Sequence, residues 1–199
     1  VISKRQVPNL LTLFRVLAIP LIVVLLSSGQ QQGRYLAVGF FILAAITDFV
    51  DGYLARRWQV ISTFGALIDP LADKLLVMAA LVMLVDLQDP LTRAPLLPGW
   101  MAVLVLAREI WITGLRGFAT TIGVVISASA SGKLKTVLQL IAIPLIALFD
   151  FEFEIGQWLF SLRLIGLELL LFSIIVSYWG AMDYTLVVYD CVGKAREGS

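Results

Sequence analysis

The sequence predicts an all-α integral membrane protein with six transmembrane helices and both termini cytoplasmic, and three observations carry that prediction. Of 199 residues, 60% are hydrophobic and 15% charged, with a mean hydropathy of +0.95, whereas a water-soluble domain carries about 25% charged residues. The apolar residues fall in long runs, and one bilayer crossing takes roughly 20 of them, so a chain of this length has room for about six. Irregular backbone cannot face lipid, and these runs lack the alternation of strands, so they should cross as helices.

Breaks between the runs place helices at about residues 9–28, 35–57, 63–86, 98–122, 132–150 and 158–190. Lys4 and Arg5, then the apolar Val16–Leu26 and the small Ser27, Ser28 and Gly29, have the outline of a secretory signal. Asn9, Thr12 and Arg15 intrude where a signal is apolar, and further apolar segments follow, so the first helix is expected to remain in the membrane. Gly29–Gly33, Asp86–Pro98 and Asp150–Gln157 make three loops on one side, and Arg57–Thr63 and Thr121–Gly132 two on the other. Trp158–Asp190 reads as one long helix or two shorter pieces. There is no linker, repeat or low-complexity stretch, so residues 1–199 read as a single membrane domain.

Orientation follows from the basic residues. Lys4, Arg5, Arg15, Arg56, Arg57, Lys74, Arg108, Arg116, Lys133, Lys135, Lys194 and Arg196 lie toward one side, which leaves only Arg34, Arg93 and Arg163 of the 15 Lys and Arg toward the other. The first side should be cytoplasmic. Asp86, Asp89, Asp150, Glu152 and Glu154 occupy the opposite loops. A net charge of +1 gives no reason to expect nucleic-acid binding. The chain has no histidine and a single cysteine, Cys191, so imidazole chemistry, an internal disulfide and a thiolate metal cage are excluded. Carboxylates, lysines and arginines must carry any chemistry.

The informative residues interrupt the helices. The apolar stretch from Tyr35 to Ile46 is too short to cross a hydrocarbon core of about 30 Å, so the second helix must carry Asp48 and Asp51 into the membrane region. Asp48 lies 13 residues after Tyr35 and Asp73 lies 13 before Asp86, about 20 Å in each case at 1.5 Å per residue. The two acidic pairs are therefore expected at similar depth. Asp48 and Asp51 are spaced i,i+3 and Asp69 and Asp73 i,i+4, so each pair shares a helix face. Two antiparallel neighbours joined by a short turn could then bring four carboxylates together. Asp69-Pro70 also has the form of a helix cap with proline in the first turn, although a kinked continuous helix fits too.

An aspartate at a helix centre costs roughly 2.5–3.5 kcal/mol on insertion scales, and clustered anions also repel one another. Arg56, Arg57 and Lys74 could compensate as ion-pair partners, or the carboxylates could form a hard-oxygen site for one or two Mg²⁺ or Mn²⁺ ions. A plain acidic belt is the bland alternative. Gly52 follows Asp51, Ala55 lies one turn beyond it, and Gly65 lies one turn before Asp69. Small residues there let a ligand or a second backbone approach closely, with helix packing alone as the other explanation.

Written out, Asp48-x-x-Asp51-Gly52-x-x-Ala55-Arg56 followed by Gly65-x-x-x-Asp69-x-x-x-Asp73 resembles the signature of the CDP-alcohol phosphatidyltransferase family at every fixed position. Pro8-Asn9-x-x-Thr12-x-x-Arg15 is similar to the family's amino-terminal segment, and the six-helix count extends the resemblance over essentially the whole chain. Arg108-Glu109-Ile110, Thr113-Gly114-Leu115-Arg116 and Gly132-Lys133-x-Lys135-Thr136 resemble segments of the branch whose acceptor is sn-glycerol 3-phosphate.

The resemblance implies transfer of a phosphatidyl group from CDP-diacylglycerol to sn-glycerol 3-phosphate, with release of CMP, by a homodimer. It implies two divalent cations, Mg²⁺ or Mn²⁺, on Asp48, Asp51, Asp69 and Asp73, with Asp73 as the base. Gly52, Ala55, Arg56 and Gly65 would surround the cytidine and pyrophosphate. The expected location is a bacterial inner membrane, with the site facing the cytoplasm and the donor's acyl chains among membrane lipid.

Glycerol 3-phosphate needs a cationic pocket of its own. Arg108 and Arg116 are nearly two helical turns apart and share a face, and Lys133 and Lys135 begin the next helix; all four are candidates for the acceptor phosphate. The alternatives are that the lysines only anchor a helix end and that Arg108 pairs with a buried Glu. Another acceptor alcohol, such as inositol phosphate, serine or phosphatidylglycerol, would share the common signature. From a different class, a small cation-coupled transporter would need polar residues through the full depth. Leu36–Ile46 and Leu75–Val85 carry no charge, which favours a one-sided enzyme site.

Overall fold

A computed structural model describes residues 6–58, 63–121, 123, 130–155 and 158–197. Side chains are described for all of these except 6–10, 49–58, 63–70, 130–131, 155, 158–159 and 192–197. Among the described residues the order is α1 (Gln6–Ser27), α2 (Gln31–Trp58), α3 (Thr63–Asp86), α4 (Gly99–Thr121), α5 (Ala130–Ala147), β1 (Glu152–Ile155), β2 (Trp158–Ser161) and α6 (Leu162–Glu197).

Several helix boundaries differ from the sequence expectation, α6 running on to Glu197, and two of the differences have identifiable reasons. Gly33 was expected in a loop, but α2 begins at Gln31. A Cβ on Gly33 would lie 2.5 Å from Ser28 Oγ and 2.7 Å from the Leu25 carbonyl. The glycine therefore serves close approach to the end of α1, while Gly29, at φ +65°, supplies the left-handed residue that ends that helix. The second difference is the β1–β2 hairpin, which occupies part of the expected loop and delays α6 to Leu162. Its register pairs Glu152 with Ser161 and Phe153 with Phe160, whose rings stack with centroids 5.7 Å apart. Glu-Phe-Glu-Ile does alternate, but four residues between long apolar runs are a weak strand signal. Beyond it, α6 is one continuous helix of 36 residues, consistent with the absence of proline after Pro144.

Helix α1 packs along both α2 and α3, which among the described residues make few contacts with each other, while α5 lies along α6 and α4 packs on α6. The core is apolar: Ile22, Phe41, Leu81, Leu84, Ile146 and Leu170 are each at most 2% exposed. Where α5 meets α6 the backbones come close. A Cβ on Gly166 would lie 2.8 Å from Ile146 Cγ1 and 2.9 Å from the Ala142 carbonyl.

The outside of the bundle is apolar too. Val24, Val103, Ile110, Ile175 and Trp179 stand exposed, far more apolar surface than a water-facing monomer tolerates. By length and composition one helix among the described residues, Leu162–Cys191, is long and apolar enough to cross a membrane, with Leu11–Ser27 a shorter apolar helix.

The loop ends are organised. Asp89 Oδ1 accepts the backbone N–H of Leu91 at 2.8 Å, and Arg163 donates to the carbonyls of Leu96 and Pro95 at 3.0 and 2.8 Å. This ties the α3–α4 loop to the start of α6. At the same end of the bundle Asp150, just beyond α5, accepts from Tyr35, from Gln31 at 2.9 Å and from Arg34 at 2.8 Å, all on α2.

Candidate active site

Three helices converge on one guanidinium. On α1 the buried positions Thr12, Arg15, Ala18, Ile22 and Leu26 form a single stripe, as helical periodicity requires. On α2 the buried Ala37, Phe41 and Ala44 continue at helical spacing to Asp48. On α3 Asp73 begins the series that runs on through the buried Leu76, Ala80 and Leu84. Both aspartates thus extend the inward face of their helix toward α1. There Arg15 Nη2 meets Asp48 Oδ1 at 2.7 Å and Arg15 Nη1 meets Asp73 Oδ1 at 2.8 Å.

Arg15 is fully buried, whereas the two carboxylates are 39% and 43% exposed. A buried guanidinium requires paired anions, and a planar fork with two donors suits two carboxylates. Because one side chain reaches both, Asp48 and Asp73 lie at one level, as the residue counting from the helix ends required.

Asp51, Gly52, Ala55, Arg56, Gly65 and Asp69 lie on α2 and α3, but their side chains fall outside the described residues, as does that of Asn9. Thr12 is buried one turn from Arg15 on α1. Among the described residues no group of three or more His, Cys, Asp or Glu could hold a metal ion; of the four candidate ligands only Asp48 and Asp73 are described. Those two are oxygen donors from separate helices, at one level and partly open, which fits the hard-oxygen preference of Mg²⁺ or Mn²⁺.

The four acceptor candidates do not form one cluster. Arg108 and Lys135 are buried and both bond Glu109 Oε1, Arg108 at 3.0 Å. Arg108 Nε also donates to the Ser177 carbonyl on α6 at 3.2 Å, so of the alternatives open for this residue the pairing with a buried Glu is the one observed. Arg116 shares the α6-facing side, its guanidinium 5.6 Å from the Tyr184 ring centroid, within cation–π range. Lys133 is exposed at the start of α5.

The role of Glu109 as a shared anion escaped the sequence reading. Glu109 sits beside Arg108 in an otherwise apolar helix, and that adjacency was the available signal. Lys74, next to Asp73 and considered above as an ion-pair partner for the carboxylates, donates to Thr113 Oγ1 at 2.8 Å; Thr113 in turn donates to the Glu109 carbonyl at 2.7 Å. This chain of bonds links the acidic end of α3 to the Glu109 cluster.

The family model for CDP-alcohol phosphatidyltransferase matches residues 5–181. A Bacillus subtilis protein named CDP-diacylglycerol–glycerol-3-phosphate 3-phosphatidyltransferase is 37% identical over 187 residues, covering 87% of this chain and 92% of its own length. The protein of that name from Haemophilus influenzae is 33% identical, covering 92% of this chain and 94% of its own. An Arabidopsis thaliana relative, CDP-diacylglycerol–glycerol-3-phosphate 3-phosphatidyltransferase 2, is 36% identical, covering 94% and 81%. With the family model spanning most of the sequence, this chain belongs to the CDP-alcohol phosphatidyltransferase family.

Proposed function

We propose that this protein transfers the phosphatidyl group of CDP-diacylglycerol to sn-glycerol 3-phosphate, giving phosphatidylglycerol phosphate and CMP. The observation that carries this reading is that relatives named for this reaction align with nearly the whole chain, including the Arg108–Thr136 region where an acceptor-specific pocket is expected.

Asp48, Asp51, Asp69 and Asp73 would hold two divalent cations, Mg²⁺ or Mn²⁺. When bound, such ions neutralise the pyrophosphate and stabilise charge on the attacking and leaving oxygens. The residues of the chain do the rest. Gly52, Ala55 and Gly65 leave room for the nucleotide, and Arg56 adds positive charge beside its phosphates. A hydroxyl oxygen of the acceptor forms the new P–O bond, the bond from that phosphorus to CMP breaks, and the hydroxyl proton passes to the Asp73 carboxylate. The acceptor's phosphate meets the surplus positive charge of Arg108 and Lys135 over Glu109, with Arg116 and Lys133 toward the same end.

The exposed apolar girdle and the basic-residue asymmetry support six crossings, cytoplasmic termini and a cytoplasmic-side site in a bacterial inner membrane. A head group held at the level of Asp48 leaves the donor's acyl chains among lipid, and the water-soluble acceptor enters from the cytoplasm. The family resemblance extends the proposal to a homodimer.

CMP release by the purified protein tests the reading, using CDP-diacylglycerol with sn-glycerol 3-phosphate, inositol phosphate, serine or phosphatidylglycerol as acceptor. Release with sn-glycerol 3-phosphate, abolished by chelation and restored by Mn²⁺ or Mg²⁺, is expected. Turnover with a different alcohol alone would overturn the acceptor assignment, and activity that survives exhaustive chelation would overturn the metal assignment.

A further inference from the structure

Arg15 stands outside every role assigned so far, yet it is the most completely buried cation described and its two nitrogens reach carboxylates on two different helices. Among the described residues α1 lies against both α2 and α3, which make few contacts with each other. Among the described residues the contact that links Asp48 to Asp73 is Arg15 itself, while their like charges push them apart. We infer that Arg15 is a positioning residue: its guanidinium draws the two carboxylates to one level and one separation, setting the geometry in which they share divalent cations. The inference rests on the metal reading above and names the group that makes that site possible.

The geometry favours positioning over simple charge neutralisation. Each carboxylate offers Oδ1 to the guanidinium and carries a second oxygen, and both side chains stay partly open. The exposed part of each carboxylate leaves room for an ion to approach beside Arg15. Groups that orient ligands in this way change metal affinity by about 10–100-fold when removed. The rigid planar fork matters as well as the charge: lysine presents a point charge on a flexible stem and cannot fix two carboxylates in one plane.

Positioning and neutralisation predict opposite signs. If Arg15 merely offset negative charge, removing it would leave the carboxylates more attractive to a cation, and Mn²⁺ would bind more tightly. If Arg15 sets the spacing, Mn²⁺ binds more weakly despite the added negative charge.

The test is Mn²⁺ binding by the full chain in lipid nanodiscs, read from the electron paramagnetic resonance signal of free Mn²⁺ with no nucleotide present. Folding is checked by size-exclusion elution and by thermal unfolding without metal. Arg15→Gln and Arg15→Lys should each raise the Mn²⁺ dissociation constant about tenfold or more, the lysine recovering little of the loss. Unchanged or tighter binding in Arg15→Gln, or full recovery in Arg15→Lys, would overturn the proposal while leaving the proposed reaction intact. Loss of folding in both variants would also overturn it, since the bridge would then serve the bundle rather than the ions. Failure of the unaltered protein to bind Mn²⁺ would remove the metal reading, and this inference with it.

Discussion

Glu109 of α4 and Lys135 of α5 form an ion pair across two helices with neither side chain more than 9% exposed. Arg108 reaches the same carboxylate oxygen at 3.0 Å, so two cations share one anion and a unit of positive charge is left over. Breaking a buried pair by removing one partner is costly, about 3–5 kcal/mol, because the other charge is stranded. Here Arg108 remains to hold Glu109 when Lys135 is lost, which blunts that cost. Lys135→Ala is therefore expected to fold and to raise the KM for sn-glycerol 3-phosphate about tenfold or more, the loss of one charge-assisted bond to phosphate. The KM for CDP-diacylglycerol should move far less. Steady-state kinetics with each substrate varied in turn checks this, and equal weakening of both substrates would count against an acceptor pocket here.

The difference between Lys135 and Glu109 shows what the sequence could and could not tell. Residue counting placed Asp48 and Asp73 at one depth, because depth follows from counting residues along a rigid rod. It could not say which helices are neighbours, so the wedge of α1 between α2 and α3, and with it the reach of Arg15 to both acids, was illegible. Charge pattern likewise nominated Arg108 and Lys135 without revealing that both end on Glu109, since a buried pair is a tertiary event between α4 and α5. The β1–β2 hairpin was missed because four alternating residues carry little periodic signal beside a long apolar run.

The acidic pairs lead to a second expectation. Asp48→Asn keeps the shape of the side chain and one oxygen but removes a charge that both an ion and Arg15 would use. Turnover should fall on the order of 100-fold or more, in line with the loss of an electrostatic transition-state contact, and Asp69→Asn should do the same. Membrane insertion should survive, because a neutral side chain is cheaper to insert than a charged one. CMP release measured beside the yield of membrane-extracted protein separates the two effects, and near-normal turnover in either variant would remove that aspartate from the site.

Packing between α5 and α6 gives a prediction about stability rather than chemistry. Gly166 faces Ile146 and the Ala142 carbonyl so closely that an added methyl would sit under 3 Å from both. The isoleucine tip can shift, but the backbone oxygen cannot without moving α5. Gly166→Ala should therefore destabilise the protein by about 1–3 kcal/mol, the usual cost of overpacking, despite alanine's better helix propensity. Thermal unfolding in detergent should show a lower Tm, and an unchanged or raised Tm would mean that the two helices separate without cost.

At the opposite end of the bundle from the active site, Asp150 gives stability a dependence on acid. Partial burial works to raise this carboxyl, but hydrogen bonds from Tyr35 and Gln31 and the charge of Arg34 outweigh it, holding it below its ordinary value of 3.8. A carboxyl depressed in the folded state binds protons more readily when unfolded. Its contribution is therefore fully present above the unfolded value and is lost as pH falls through the folded one. Asp150→Asn should lower the Tm at neutral pH, where the ionised carboxylate ties the end of α5 to the start of α2. The gap between variant and parent should then narrow as pH drops below about 4, the range in which the unfolded carboxyl takes up its proton. Unfolding scans of both proteins between neutral and acid pH make the comparison, and a gap that stayed constant across that range would show that packing around Tyr35, not the carboxylate's charge, fastens this corner.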